Sequence, residues 1–530
     1  MRHRLARSAR SLPVLVTTLV LAAPAARAQG TTASPAPPFI IEEATIAELH
    51  AAMRAGTLSC RQLVQGNLRR IEAYDKNGPA INALVVVNPA ALATADSLDR
   101  HLAREGFVGP LHCVPTIVKD NFETIDLPTT AGSLALKDWR PTRDAFQVQR
   151  IRAAGAIVLA KSNMAELAFS PNETVSSILA GYTKNPYALD RVTAGSSGGT
   201  AAAVASSFGA VGLGSDTGNS IRGPSSHQSL VGIRSTMGLT SRSGVVPLFD
   251  SQDIAGPMAR TVADAAAVFQ VVAGEDPGAP VTAAARAHPI PRYADSLRAD
   301  GLRGARIGVL HAAYDTPTLD PEVNAVFRRA LGDLQRLGAT VVDPVAIPTL
   351  DSLRRLQGGA CSPFRHDFEA YLASVADSRP PVRTVDEILK SGRYHPSVQA
   401  RLEAAQRVTE SPAESAGCRA REQYRAALRV ALRQLMDSLH LDAVAYPTWS
   451  NPPRLIGDLN TPGGDNSQVF SPATGFPAIT VPMGYTRAVL PAGLQLLARP
   501  FAEGTLFRLA YAYEQGTHHR RPPATVPPLR

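Results

Sequence analysis

Two short turns, Thr193-Ala-Gly-Ser-Ser-Gly-Gly199 and Asp216-Thr-Gly-Asn-Ser-Ile-Arg222, concentrate hydroxyls and glycines. Glycines let a backbone approach a ligand closely and present its N–H groups. Upstream, the apolar run Pro115-Thr-Ile-Val-Lys119 ends in a lysine. A serine hydroxyl is a poor nucleophile until a base takes its proton. Lysine can be that base only when neutral, which requires burial or nearby positive charge to lower its pKa. The two turns and the lysine point to hydrolytic chemistry without a histidine at its centre.

Other readings compete. Gly195-Ser-Ser-Gly-Gly199 formally matches the nucleophile elbow G-x-S-x-G, with Ser197 as nucleophile. That motif needs a buried strand just before the serine, and Pro186-Tyr-Ala-Leu-Asp-Arg-Val-Thr193 is too polar and proline-broken to be one. A phosphate-cradling loop lacks its lysine, since Thr200 and Ala201 stand where it is needed. Quieter roles also exist. Lys119 could pair with Asp120 at the surface, and Ser196, Ser197 and Ser220 could cap helices. Arg222 reads as a partner for a carboxylate such as Asp216 rather than a substrate ligand. His112 and His227 read as packing or hydrogen-bonding histidines.

The elements that must position these residues alternate. Short apolar runs at 83–87, 116–118, 156–160, 210–213, 307–310, 340–342, 443–445 and 478–481 read as strands. Helical patterns at 146–154, 199–207 and 321–337 separate several of them. This alternation predicts an α/β sheet covered on both faces. Near the start, Thr45 with Glu48 and Ser59 with Gln62 have capping-box spacing, and Val64, Leu68 and Ile71 share a helix face. Residues 275–300 form a Pro/Ala-rich connection. Residues 350–440 are charged and helical, read as a cap or insertion on the same domain. Residues 516–530 read as an extended tail.

The first 28 residues look like a secretory signal peptide. Arg2, Arg4, Arg7 and Arg10 precede an apolar run, and Ala26-Arg27-Ala28 supplies a cleavage sequence. Residues 29–38 then read as a flexible leader. The run is too short for a comfortable membrane span, so no stable membrane anchor is expected. The chain carries a formal charge of +9, but residues 1–28 hold five arginines and no acid, leaving +4. That balance gives no reason to expect a nucleic-acid partner. Of the four cysteines, Cys361 and Cys418 are the first pairing guess, with four free thiols as the equal alternative. No C-x-x-C supports a metal site.

Taken in order, Gly109-Pro-Leu-His-Cys-Val-Pro-Thr-Ile-Val-Lys-Asp-Asn121, the two serine-bearing turns, Ser251-Gln-Asp-Ile-Ala-Gly-Pro-Met-Ala-Arg260, Gly475-Phe-Pro-Ala-Ile-Thr-Val-Pro482 and Gly493-Leu-Gln-Leu-Leu-Ala-Arg499 resemble the amidase signature family over residues 40–515. The resemblance implies a single large α/β domain (residues 39–515) with a mixed, twisted sheet between helical layers. It implies a Ser–Ser–Lys triad: Lys119 as base, Ser196 as bridging serine on a cis Gly195–Ser196 bond, and Ser220 as nucleophile. The backbone N–H groups of Thr217, Gly218, Asn219 and Ser220 would form the oxyanion hole, with Ser197, Asp216 and Arg222 in support. Two residues depart from the family, Asn219 and Cys113, each where glycine is common. Asn tolerates left-handed backbone, and its side chain could narrow the acyl pocket.

The function expected is an exported (periplasmic or secreted) amidase that splits a carboxylic amide into acid plus ammonia or amine, with no metal or organic cofactor. Its partner would be a small-molecule or peptide amide, with specificity set by residues 350–440 and the approach to Trp449 and Asp465. The alternatives are a catalytically inactive binding relative and a glutamine-hydrolysing subunit of an amidotransferase.

Overall fold

Among the described residues, eleven strands form one sheet. They are β1 (Leu84–Val87), β2 (Pro115–Lys119), β3 (Ile157–Ser162), β4 (Val211–Asp216), β5 (Val231–Arg234), β6 (Ile254–Ala259), β7 (Arg306–Leu310), β8 (Thr340–Val345), β9 (Ala443–Pro447), β10 (Ala478–Thr486) and β11 (Leu490–Leu497). Their spatial order is β1-β3-β2-β4-β6-β5-β10-β11-β9-β7-β8. The sheet is mixed: β3-β2-β4 and β9-β7-β8 run parallel, and the other neighbours pair antiparallel. The computed structural model describes residues 9, 11–17 and 39–529. Most of the predicted signal peptide, including its cleavage sequence, and the 29–38 leader lie outside the described residues. Phe39–Arg530 make one compact unit.

Strands β2, β3, β4 and β9 are buried along their whole length, as uninterrupted apolar runs under helices require. The sequence pattern misses β5, β6 and β11 because glycine and proline interrupt them. The prolines are tolerated where a neighbouring strand has ended. Pro257 pairs with Leu213 of β4, while β5 reaches β6 only at Met258 and Ala259. Pro491 pairs with Tyr485 of β10, while β9 meets β11 only from Leu494 onward. In both places the missing N–H interrupts no second ladder.

Both predicted capping boxes form, at Thr45 and Ser59. The predicted helices appear as Phe146–Ala153, Gly198–Ala205 and Pro321–Arg336. Residues 350–440 hold helices Leu350–Arg354, Phe364–Ser374, Val385–Ser391, Gln399–Gln406 and Ala416–Ser438. A separate apolar cluster joins Phe364, Phe368, Leu372 and Leu402 to Leu167 and Phe169 beside the sheet. That packing seats the helices Phe364–Ser374, Val385–Ser391 and Gln399–Gln406 against the segment that follows β3.

All four cysteines are paired, which corrects the free-thiol alternative. Cys361–Cys418 forms as expected, with Cα atoms 4.6 Å apart. Cys60–Cys113 is a second pair, 5.5 Å apart, which spacing alone did not identify. Among the described residues, the chain past Thr517 lacks regular structure, yet it is docked on the body. Arg70, 2% exposed, donates to the carbonyls of Val526 and Pro527 at 2.8 and 3.0 Å. Arg520 makes a two-point ion pair with Glu43. Among the described residues no helix is long and apolar enough to cross a membrane.

Candidate active site

Lys119 closes β2, and burial of that strand carries its ammonium away from water. The side chain is wholly buried. Nζ donates to Ser196 Oγ at 2.7 Å and to Ser215 Oγ at 2.8 Å. Burial lowers the lysine pKa to about 7, against the opposing pull of Asp253 and Asp216. The surface pairing with Asp120 does not occur. Asp120 is itself buried, 3.4 Å from Lys161 Nζ.

Ser196 follows a cis Gly195–Ser196 peptide, ahead of the helix Gly198–Ala205. The glycines around it serve close packing of backbone on backbone. A Cβ on Gly195 would lie 2.5 Å from the Ser170 carbonyl oxygen and 2.7 Å from that of Glu173. A Cβ on Gly199 would collide with the Asn163 carbonyl oxygen. The cavity described below is lined by Gly218 of the second turn and not by these glycines. Ser197 sits at the helix N-cap without a side-chain capping bond. Its hydroxyl donates to the Ser215 carbonyl at 3.1 Å and its amide to the Ser220 carbonyl at 3.3 Å. Ser197 therefore ties the two serine-bearing turns together.

The second turn leaves the end of β4, parallel neighbour of β2. Asp216 organises it. Its carboxylate accepts from the Ile221 and Arg222 amides and pairs with both Arg222 and Arg234 at 3.1 Å. Burial pushes this carboxyl upward, but the two guanidinium groups outweigh it and bring the pKa to about 2. Arg222, wholly buried, also donates to the Gly218 carbonyl at 2.6 Å and to Ser467 O and Gln495 Oε1. It is a brace of the turn, as its pairing with Asp216 predicted.

Residues 217–220 face a cavity of about 240 Å³, whose other walls include Phe169, Phe249, Arg401, Arg421 and Gln468. Among the described residues, the backbone N–H groups of Thr217, Gly218, Asn219 and Ser220 donate to no protein acceptor. These four unpaired donors belong to residues that line the cavity, the kind of group an oxyanion requires. Thr217 Oγ1 donates to Asp253 Oδ1 at 2.5 Å, and Asp253 Oδ2 accepts from the Leu248 and Phe249 amides. Burial raises the Asp253 carboxyl to about 6. Asp253 thus joins the turn to the loop forming the opposite wall.

One expected contact is absent. The Ser220 hydroxyl donates to Asn219 Oδ1 at 3.4 Å, and among the described residues no hydrogen bond joins it to Ser196. Asn219 supplies an acceptor that glycine would not have. Asn219 itself avoids the left-handed region, whereas Cys113 lies in it at φ 59°. Of the two departures from glycine, only Cys113 needs the backbone freedom glycine has.

Sequence reasoning missed Ser215, Asn121, Asp253 and Arg234. Ser215 bears the signal that exposed Lys119, a polar residue near the end of a buried strand, and it accepts from Asn121 Nδ2 at 3.0 Å. Asp253 lies within a stretch already singled out for its resemblance. Trp449 is set back from the cavity, its ring 4.5 Å from that of His227. Asp465 acts indirectly, accepting at 2.6 Å from Gln468, which does reach the cavity. His227 is buried with its pKa lowered to about 3 by burial, and His112 stacks on Phe107.

The amidase family model matches residues 62–507. This chain belongs to the amidase signature family. It is 34% identical to a subunit of the glutamyl-tRNA(Gln) amidotransferase of Moorella thermoacetica, over 90% of this chain and 98% of that one. It is 33% identical to a probable amidase of Arabidopsis thaliana, over 92% of this chain and 93% of the relative. Among solved structures, the native peptide amidase of Stenotrophomonas maltophilia superposes with a TM-score of 0.82 at 36% identity, covering 91% of this chain and 99% of that one. Membership in this family makes the protein a hydrolase acting on carbon–nitrogen bonds of amides, and the single α/β domain is the family's fold.

Proposed function

We propose that this amidase hydrolyses a linear carboxylic amide through an acyl-enzyme on Ser220, with Ser196 and Lys119 moving the proton. The observation that carries the reading is the buried Lys119 Nζ, 2.7 Å from Ser196 Oγ, behind a cavity lined by Ser220 and four unpaired amides. The Ser220 hydroxyl turns from Asn219 to Ser196 and gives up its proton as its oxygen attacks the carbonyl carbon. Ser196 passes a proton to neutral Lys119. The carbonyl oxygen, now negative, takes the N–H groups of residues 217–220, each such donor contributing about 3 kcal/mol. The same relay returns a proton to the leaving nitrogen, and the carbon–nitrogen bond breaks. A water then repeats the cycle on the acyl-enzyme and releases the acid. Each step is carried by side chains and backbone, with no cofactor.

The test is covalent. A serine-directed fluorophosphonate should label Ser220, as located by mass spectrometry, and Lys119→Ala should abolish the labelling. Label on Ser197, or amide hydrolysis surviving loss of both Ser220 and Lys119, would overturn the mechanism.

Export belongs to the same proposal. The signal-like leader supports it, as do two disulfides with no free cysteine among the described residues, since such bonds persist in oxidising compartments. Intact mass of protein from the periplasm or medium should match a chain starting after Ala28.

The amidotransferase reading is favoured by 34% identity over nearly the full length of the Moorella thermoacetica relative. A free-standing amidase is favoured by shape. The peptide amidase superposes with a TM-score of 0.82, and the corresponding amidotransferase chain of Thermotoga maritima with 0.69 at 27% identity. Amide hydrolysis by the purified single chain supports the free-standing reading, and dependence on added subunits would reverse it.

A further inference from the structure

The cavity over Ser220 shares Gln252, Arg421 and Gln468 with a second, larger one of about 570 Å³. Arg401 and Arg421 line the first; Arg354, Arg421 and Arg425 line the second. Among the described residues, no aspartate or glutamate lines either. Two of the four guanidinium groups have a carboxylate of their own, Arg354 at 3.4 Å from Asp351 and Arg425 at 3.2 Å from Glu422. Arg421, on the shared wall, has none within 4.0 Å among the described residues. Its Nη2 donates to Gln252 Oε1 at 2.5 Å, its Nη1 to the Cys361 carbonyl at 3.5 Å, and its guanidinium stands 5.6 Å from the Phe249 ring centroid. Gln252 and Cys361 offer neutral acceptors only. A guanidinium stays protonated at any working pH; Arg421 is partly exposed, and the carboxylate that acts on it from a distance, Glu422, is already paired with Arg425 and Arg429. Arg421 also keeps donors to spare, since two of its five N–H bonds are used.

We infer that this site selects amides whose non-reacting end carries a carboxylate, held by Arg421 at the wall between the two cavities. The inference rests on the amidase reading above and names its substrate class. The reacting carbonyl sits at Ser220 in the smaller cavity, and the chain of the substrate runs past Gln468 and Gln252. The planar guanidinium receives the carboxylate oxygens through parallel N–H bonds. The carboxylate could belong to the acyl part, as in a monoamide of a dicarboxylic acid, or to the amine part, as in an N-acyl amino acid.

The experiment compares kcat/KM within two matched pairs. One pair carries a carboxylate or its methyl-ketone isostere on the acyl side, the other carries them on the amine side. The native enzyme should prefer the carboxylate by about 10- to 100-fold in one pair, the range of one charge-assisted hydrogen bond. The pair that responds identifies the side. Arg421→Met should bring that ratio to about one, and Arg421→Lys should restore part of it. Calorimetry adds a readout free of catalysis: in Ser220→Ala the carboxylate-bearing substrate should bind, and Ser220→Ala/Arg421→Met should lose that binding. Equal rates within both pairs, or a preference that survives Arg421→Met, overturns the inference while leaving the amidase reading intact. Failure of every amide to be cleaved, together with a Ser220 inert to fluorophosphonate, counts against the amidase reading itself.

Discussion

Lys119 and Asn219 show how far single side chains set the chemistry. A lysine brought down to about 7 is half neutral near that pH. The neutral form is the active one, so kcat/KM should rise with pH through an inflection near 7 and fall away below it. A profile flat between pH 5.5 and 8.5 would remove Lys119 from the rate equation. Lys119→Arg should be inactive across that range, because a guanidinium does not give up its proton. Asn219 occupies the cavity and holds the Ser220 hydroxyl at 3.4 Å. Asn219→Gly should widen the acyl end, lowering KM for amides with branched acyl groups about 4-fold per buried methylene. Acetamide-sized substrates should change little. A series of acyl chain lengths, read as KM for native and variant, checks this.

At the level of elements, the site depends on how β2 is delivered. Cys113 stands two residues before it with φ 59°, a conformation suited to glycine, and its bond to Cys60 ties the approach to the helix Cys60–Ile71. The crosslink closes a loop of 53 residues, for which a stabilisation of about 2–4 kcal/mol is expected. Cys60→Ser should lower the melting temperature accordingly. Cys60→Ser/Cys113→Gly should recover part of the loss, because glycine adopts the left-handed region without strain. A double variant no more stable than the single one would show that the backbone at 113 carries no strain. The helices over the site have a comparable role. Gln399–Gln406 and Ala416–Ser438 contribute Arg401 and Arg421 to the cavity; the cluster around Phe364 and Phe368 seats the first helix against Leu167 and Phe169, and Leu428 and Leu432 anchor the second in the main core.

Across the whole molecule, the last residues are fastened to the first helices and, through Arg70, to the end of the helix Gly198–Ala205. Arg70 bridges Glu42, the Ser206 carbonyl and the tail carbonyls of Val526 and Pro527. Ending the chain after Thr517 would leave buried donors on Arg70 without acceptors, at about 1–3 kcal/mol, and would free Glu43 from Arg520. The shortened protein should unfold at lower denaturant concentration while the pH inflection of its activity stays near 7. A shifted inflection would mean that the tail reaches the site electrostatically.

Strand β2, with the lysine at its end, was legible in the sequence because a strand buried on both faces must be a continuous apolar run. A charged residue closing such a run is conspicuous. The two serine turns were legible for the same local reason, since hydroxyls and glycines cluster where backbone must pass close to backbone. Strands β5, β6 and β11 were not legible. Their glycines and prolines read as breaks until the neighbouring strands are known to end beside them. Nor was the acceptor that Asn219 offers to Ser220, or the part played by Ser215, which depends on β2 and β4 lying side by side. The cavity walls are more remote still. Arg401, Arg421 and Gln468 come to Ser220 from the far side of the chain, through a sheet order that places β10 beside β5 and β9 beside β11. Periodicity and turn chemistry act over a few residues and can be read locally. Which side chains meet around a substrate depends on the packing of the entire core, and no local pattern encodes it.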